Sequence, residues 1–122
     1  MKKILTLILL SMLFSSNYSY AYGYLTKLIG PGVSINKYFV HNGGGVSLIL
    51  NENFPLNPDD CGDTKHVFIK GDRAGHKAMI SAALAAFASG KKIGLHSYGC
   101  EIIPFWGGTV TRPIVSELWV FE

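Results

Sequence analysis

The N-terminal segment constrains this chain more than any other feature, because it predicts which residues are removed before the rest folds. Lys2 and Lys3 give it a positive start, and residues 4–14 are apolar apart from one threonine and one serine. A run of about 11 apolar residues is too short to cross a bilayer, which needs about 20. With the small-x-small pattern at residues 19–21, the segment has the anatomy of a cleavable signal peptide.

The alternative, an N-terminal core helix, would carry polar residues along one face, and this segment has almost none. We therefore expect residues 1–21 to be a signal peptide cut after Ala21, and residues 22–122 to be one mature domain. No later stretch is long and apolar enough for stable membrane insertion. The mature protein is predicted to be periplasmic or secreted.

Charge argues against nucleic acid as a partner. The chain has 11 Lys and Arg residues and 8 Asp and Glu residues. Lys2 and Lys3 leave with the signal peptide, so nine basic residues face eight acidic ones and the mature net charge is +1. Proteins that bind nucleic acid carry a basic surface that contacts many phosphates, and no such surface is indicated here.

Cys61 and Cys100 are the only cysteines. In an oxidising compartment an isolated pair is most simply a disulfide. Closing a loop of about 40 residues is worth about 4 kcal/mol in the chain-entropy model. Two free or metal-binding thiols are the alternative, but the spacing lacks the short Cys and His intervals of zinc sites. No cofactor or metal is expected.

Hydrophobic alternation predicts a mainly β domain with one helix. A helix over residues 74–88 is predicted from apolar residues at i, i+3, i+4 spacing, with Asp72 as its N-cap and Gly90 after its end. The predicted strands are residues 24–29 continuing after a Gly-Pro-Gly bend into 33–40, then 46–50, 65–70, 93–98 and 113–121. Five strands with a helix between the third and fourth, the first strand long and bent, are typical of an OB-fold barrel.

One face of the predicted helix carries small residues. Either alanine's high helix propensity explains them, or a second subunit covers this face. The candidate oligomer-interface residues are Ala78, Ala82, Ala85 and Ala86.

The stretch KAMISAALAAFASGKKI at residues 77–93, followed by Cys100 and a C-terminal strand, resembles the binding subunits of the subtilase cytotoxin and pertussis-like toxins. The resemblance is strongest over Val67 to Cys100. It implies an OB-fold that assembles as a homo-pentamer, binds cell-surface glycans and carries a separate enzymatic toxin subunit. Two departures stand out: this chain has a single cysteine pair where subtilase-type subunits usually carry two, and residues 22–26 lack the serine of their sugar pocket.

Catalysis finds little support in the sequence. No serine lies in a G-x-S-x-G turn, and both cysteines are expected to be oxidised. The histidines lack the i, i+4 spacing of a zinc site. Asp59, Asp60 and Asp63 share one loop, so they cannot flank a glycosidic bond from two sides. We therefore expect a protein that is not an enzyme.

A glycan site combines an aromatic platform with hydrogen-bonding groups. The segment around the second cysteine offers both kinds of group, although Phe105 and Trp106 could instead close the barrel mouth as core residues. The predicted ligand-binding residues are Tyr98, Trp106, Phe105, Ser97, Tyr24 and Thr26. The sequence thus predicts a glycan-binding protein, and a standalone periplasmic interaction or inhibitor protein is the second hypothesis.

Overall fold

The computed structural model describes residues 23–122, so the predicted signal peptide and its cleavage site lie outside the described residues. The described chain forms one helix and a six-stranded sheet. In chain order the elements are β1 (Gly23–Tyr24), β2 (Ile35–Val40), β3 (Val46–Leu50), β4 (His66–Ile69), α1 (His76–Ser89), β5 (Ile93–Ile102), a 3-10 turn (Pro104–Trp106) and β6 (Thr111–Val120). Within residues 23–122, no helix has the length and apolar character needed to span a membrane.

The sheet has the strand order β1-β5-β6-β4-β3-β2. Neighbouring strands are antiparallel except β4 and β6, which are parallel. Val33, just before β2, exchanges two backbone hydrogen bonds with Ile93 of β5, at 2.9 and 2.8 Å. This bridge brings β2 close to β5 and gives the sheet a barrel-like curvature. The prediction of a mainly β domain with one helix is confirmed.

The first predicted strand is shorter than expected. It forms a regular ladder with β5 only at Gly23–Tyr24. The amides of Leu25 and Thr26 both donate to the same carbonyl oxygen, that of Leu95, at 2.9 and 3.3 Å. The sheet therefore has six strands where the sequence predicted five.

The helix begins and ends at glycines. Gly75 precedes it with φ of 79° and no side chain caps its first turn, so the predicted N-cap at Asp72 is wrong. The predicted end is confirmed: Gly90 has φ of 70°, and the amide of Lys91 donates to the carbonyl of Ala86 at 2.9 Å. Glycine adopts this left-handed conformation without a Cβ clash, which explains its place at both ends.

The core lies between the sheet and one face of α1. Ala83 and Ala86 are buried in it, and their small side chains let the helix approach the strands closely. Phe87 is one of the apolar residues of the helix, yet it is 39% exposed, with its ring edge-on to Tyr38. The buried cluster comprises Leu25, Val33, Ile35, Val46, Leu48, Leu50, Phe54, Val67, Ile69, Ala83, Ala86, Ile93, Leu95 and Val115.

This packing leaves some of the predicted interface residues exposed and buries another. Ala78 and Ala85 are exposed and Ala82 is partly buried. Ala86 is only 1% exposed within the single chain, so it packs in the core and is not available to a second subunit.

Cys61 and Cys100 form a disulfide, as predicted, with their Cα atoms 5.7 Å apart. Cys100 lies within β5, because this strand runs on to Ile102 and does not end at Tyr98. The bridge fastens the long loop between β3 and β4 to the middle of the sheet.

Candidate functional site

An open cleft of about 410 Å³ lies between the start of α1 and strands β5 and β6. Its position follows from the fold, because the chain enters α1 through residues 73–75 while the neighbouring strands present their side chains to the same space. We call it the Tyr98 cleft. Its lining residues are Arg73, Ala74, Met79, His96, Tyr98, Val115, Ser116 and Glu117.

A β-bulge in β5 lies at Tyr98. Ser97 pairs with Val115 and Cys100 pairs with Pro113, so three steps along β5 match two along β6. The extra residue is accommodated at Tyr98–Gly99, where Gly99 has φ of 112°. Bulges bend a strand and redirect its side chains, and here Tyr98 lines the cleft.

Arg73 packs directly on Tyr98. Its guanidinium carbon is 3.5 Å from the centroid of the tyrosine ring, and its Nε donates a hydrogen bond to the tyrosine hydroxyl. A cation over an aromatic face is a favourable arrangement. The contact places a fixed positive charge and several N–H donors at the side of the cleft.

His96 and Ser116 form a polar pair across β5 and β6. The Ser116 hydroxyl donates to the backbone oxygen of His96 at 3.1 Å, and its Oγ lies 2.6 Å from His96 Nδ1. The hydroxyl can also donate to Nδ1, so the tautomer of the ring decides which of the two atoms donates in the shorter contact.

Tyr24 is the second tyrosine near the cleft. Its ring is 45% exposed and meets His96 edge-on, with the centroids 4.9 Å apart. Glu117, an exposed neighbour on β6, adds a carboxylate. The cleft therefore combines aromatic surface, hydroxyl groups, one cation and one anion.

Two of the predicted ligand-binding residues are structural. The Ser97 side chain is fully buried and its hydroxyl donates to Asp59 Oδ2 at 3.0 Å. Thr26 is also fully buried, and its Oγ1 accepts from the amide of Leu95 at 3.0 Å. Neither hydroxyl is accessible to a ligand, so we withdraw both residues from the site.

Phe105 and Trp106 belong to a different surface. The 3-10 turn lays Trp106 on the outer face of β2 to β4, where its ring meets Phe39 at 4.7 Å and His66 at 5.1 Å between centroids. Phe105 lies at the rim of this group and is 67% exposed. We call Phe39, His41, His66, Phe68, Phe105 and Trp106 the aromatic face.

Two histidines of the aromatic face have lowered pKa values. His66 is 4% exposed, and burial lowers its pKa to about 4. The nearby positive charge of Arg112 lowers this pKa further, while Asp63 opposes the shift. Burial also lowers the pKa of His41, whose Nε2 lies 2.7 Å from the Ser47 hydroxyl oxygen.

Only one group of potential metal ligands was found among residues 23–122. It consists of Asp59, Cys61 and Cys100. Both sulfurs are consumed by the disulfide, so the group has no thiolate to offer, and thiolates are the cysteine form that binds metals.

Sequence reasoning missed much of the Tyr98 cleft. His96, Arg73, Ser116 and Glu117 line the cleft but are not among the predicted ligand-binding residues. The alternation that places His96 and Tyr98 on one face of β5 was visible in the sequence. The contact of Arg73 with this face depends on how α1 packs on the sheet.

Comparisons with protein families, curated proteins and solved structures found no match to this chain.

Proposed function

We propose that this chain is an exported, non-enzymatic binding protein that recognises a glycan in the Tyr98 cleft. The observation that carries the proposal is the composition of the cleft and its edge, where Tyr98 and the adjoining Tyr24 lie near a guanidinium, a carboxylate and hydroxyl groups. A sugar presents hydroxyl groups around its edge and C–H groups on its faces, so it needs both polar and aromatic partners.

Each kind of contact has a candidate residue. The exposed ring of Tyr24 offers an apolar platform at the edge of the cleft. Arg73 offers N–H donors, and Glu117 offers acceptor oxygens. Vicinal hydroxyl groups of a sugar both donate and accept, so they match a cleft that contains both types of group.

An OB-fold is the finer architecture that we propose. The helix lies between β4 and β5, and β4 pairs in parallel with β6. The bridge between Val33 and Ile93 supports treating β1 and β2 as two halves of one bent first strand. Counted in this way, the element order and pairing agree with a five-stranded Greek-key barrel with one helix, which supports the proposal.

A binding role accounts for the polar pair in the cleft better than a catalytic role. A serine nucleophile needs an unprotonated histidine nitrogen next to its hydroxyl. A catalytic histidine is also held by a third group such as a carboxylate, and within residues 23–122 no carboxylate hydrogen-bonds to the ring of His96. The pair is therefore set for holding polar groups in place.

The disulfide supports the proposed export, because disulfides persist mainly in oxidising compartments. Chemical sequencing of the protein secreted or released from the periplasm tests this part. An N-terminus at Tyr22 is expected, and an N-terminus at Met1 in the cytoplasm would contradict it.

The glycan proposal is tested on an array of oligosaccharides that end in neutral hexoses, N-acetylhexosamines or acidic sugars. We expect selective binding that falls at least about tenfold, or about 1.4 kcal/mol, in Tyr24→Ala and Arg73→Gln. Tyr38→Ala is the matched control, since Tyr38 is similarly exposed but contacts Phe87 of α1. The proposal is wrong if the wild-type protein binds no glycan, or if the cleft variants bind as the control does.

An interaction or inhibitor protein without a sugar site is the second candidate. The observation that favours it is the exposure of Phe105 in the aromatic face, at 67%. Exposed aromatic residues are enriched where proteins contact one another. Binding of a purified protein that is lost in Phe105→Ala, together with an empty glycan array, would favour this candidate.

A further inference from the structure

The loop before the first cysteine lies against the bulge that contains Tyr98. Asp59 Oδ2 accepts two hydrogen bonds from β5, one from the Ser97 hydroxyl and one from the Gly99 amide, both at 3.0 Å. These donors are the residues immediately before and after Tyr98. One carboxylate oxygen therefore holds both residues that flank the cleft tyrosine, Ser97 by its side chain and Gly99 by its backbone.

The bulge needs this partner. Gly99 has no place in the pairing register between β5 and β6, so its amide is left out of the ladder. An amide without an acceptor is costly when it is removed from water. Asp59 supplies the acceptor, at 3.0 Å.

Asp59 is itself fixed from two directions. The side chain of Asn57 accepts from the amide of Cys61 and donates to its carbonyl, both at 2.9 Å, which closes the turn that contains Asp59. The disulfide then ties Cys61 to Cys100, the residue that follows Gly99. The carboxylate is thus held at a set position relative to the bulge.

From these contacts we infer that Asp59 is a positioning residue, which sets the direction of Tyr98 in the cleft by anchoring the bulge at Ser97 and Gly99. It acts through the backbone of β5 and does not itself line the cleft. Its effect on binding rests on the proposed function, whereas its effect on Tyr98 does not.

The test compares Asp59→Ala and Asp59→Asn with Asp60→Asn. Asp60 lies in the same turn but is exposed, and asparagine tolerates its φ of 51°. Asp59→Asn keeps the shape and one acceptor oxygen, so it is the variant to judge by if Asp59→Ala does not fold.

The first measurement is the NMR spectrum without any ligand. We expect the Gly99 amide proton to move to higher field and the Tyr98 ring signals to shift. The changes should be largest in Asp59→Ala, smaller in Asp59→Asn and smallest in Asp60→Asn. Unchanged Gly99 and Tyr98 signals in both Asp59 variants would overturn the inference.

The second measurement is binding to the same glycan array. We expect Asp59→Ala to weaken binding about tenfold and Asp59→Asn to weaken it less, with an unchanged melting temperature for Asp59→Asn. Adding Asp59→Ala to Tyr98→Ala should cause no further loss, because a positioning residue acts through the side chain it positions. Additive losses would show that Asp59 acts independently of Tyr98 and would overturn the inference.

The two proposals fail separately. If the wild-type protein binds no glycan while the Tyr98 signals still respond to Asp59, the glycan proposal is wrong and the positioning role holds. If the wild-type protein binds, and both Asp59 variants leave the Gly99 and Tyr98 signals unchanged and bind like Asp60→Asn, the positioning role is wrong and the glycan proposal holds.

Discussion

At the scale of single residues, His66 is a histidine that folding keeps neutral. Its ring lies under Trp106, and its Nε2 is buried without a hydrogen-bond partner within residues 23–122. An added proton would introduce a buried charge beside Arg112. The folded protein therefore resists protonation of His66, while the unfolded chain does not.

This difference predicts loss of stability in mild acid. The unfolded chain takes up the proton near pH 6.5, whereas the folded protein takes it up near pH 4. Between these values the unfolded state binds more protons, so the free energy of unfolding falls as the pH falls, by about 3 kcal/mol at pH 4. Above pH 6.5 His66 contributes no pH dependence, and below pH 4 its effect levels off.

Urea denaturation from pH 4 to pH 8 measures this effect. The wild-type protein should lose more stability over the window from pH 6.5 to pH 4 than His66→Gln, which has no group to titrate there. Equal pH dependence in the two proteins would contradict the assignment to His66.

At the scale of secondary-structure elements, the pairing of β5 with β6 depends on a glycine opposite a tryptophan. Gly94 pairs with Trp119, and the indole lies over the glycine so closely that a Cβ at position 94 would overlap the ring. Gly43, in the turn between β2 and β3, has open space in the same direction.

Alanine at these two positions should therefore have different effects. Gly94→Ala must displace Trp119 or separate the strands, and we expect it to lower the free energy of unfolding by about 1–3 kcal/mol. Gly43→Ala should stay within about 0.5 kcal/mol of the wild-type protein. Thermal melts of both variants measure the difference, and similar melting temperatures would contradict the close packing of Trp119 on Gly94.

Local sequence patterns predicted the elements well. Strand β3 was predicted with the bounds Val46–Leu50 that the structure shows, because hydrophobic alternation and flanking turn residues are local signals. The helix was predicted within two residues at each end, and its glycine C-cap was identified. The disulfide followed from the presence of a single cysteine pair.

The candidate site was predicted only in part, because it depends on register and packing. Tyr98 and Trp106 flank Cys100 in the sequence, which suggested one site. The strand runs on past Cys100 to Ile102 and carries Trp106 to the aromatic face, while the bulge turns Tyr98 into the cleft. A one-residue bulge leaves no signal in a hydrophobic alternation pattern, so this separation could not be read from the sequence.

At the scale of the whole molecule, assembly and a toxin partner remain predictions from the resemblance. The homo-pentamer would place α1 of one subunit against a neighbour, and the exposed Ala78 and Ala85 would allow close approach. An enzymatic subunit would then bind to the ring.

Light scattering of the purified protein tests the ring. We expect a mass near five subunits, falling to one subunit in Ala85→Glu, because the added charge would be buried between helices without a partner. Ser89→Glu, at the exposed end of the same helix, is the control and should leave the mass unchanged. A wild-type protein that stays monomeric would contradict the ring.

The parallel pairing of β4 with β6 has a consequence for the order of events during synthesis. β4 and β6 are neighbours in the sheet, but the ribosome makes β4 about 40 residues before β6. While β6 is still inside the ribosome, β4 has no partner on one side and the core cannot be completed. The pairing of β4 with β6 joins residues far apart in the sequence, and pairings of this kind form late. We therefore expect the nascent chain to leave the ribosome unfolded, which is the state that the translocation channel of the predicted export route requires.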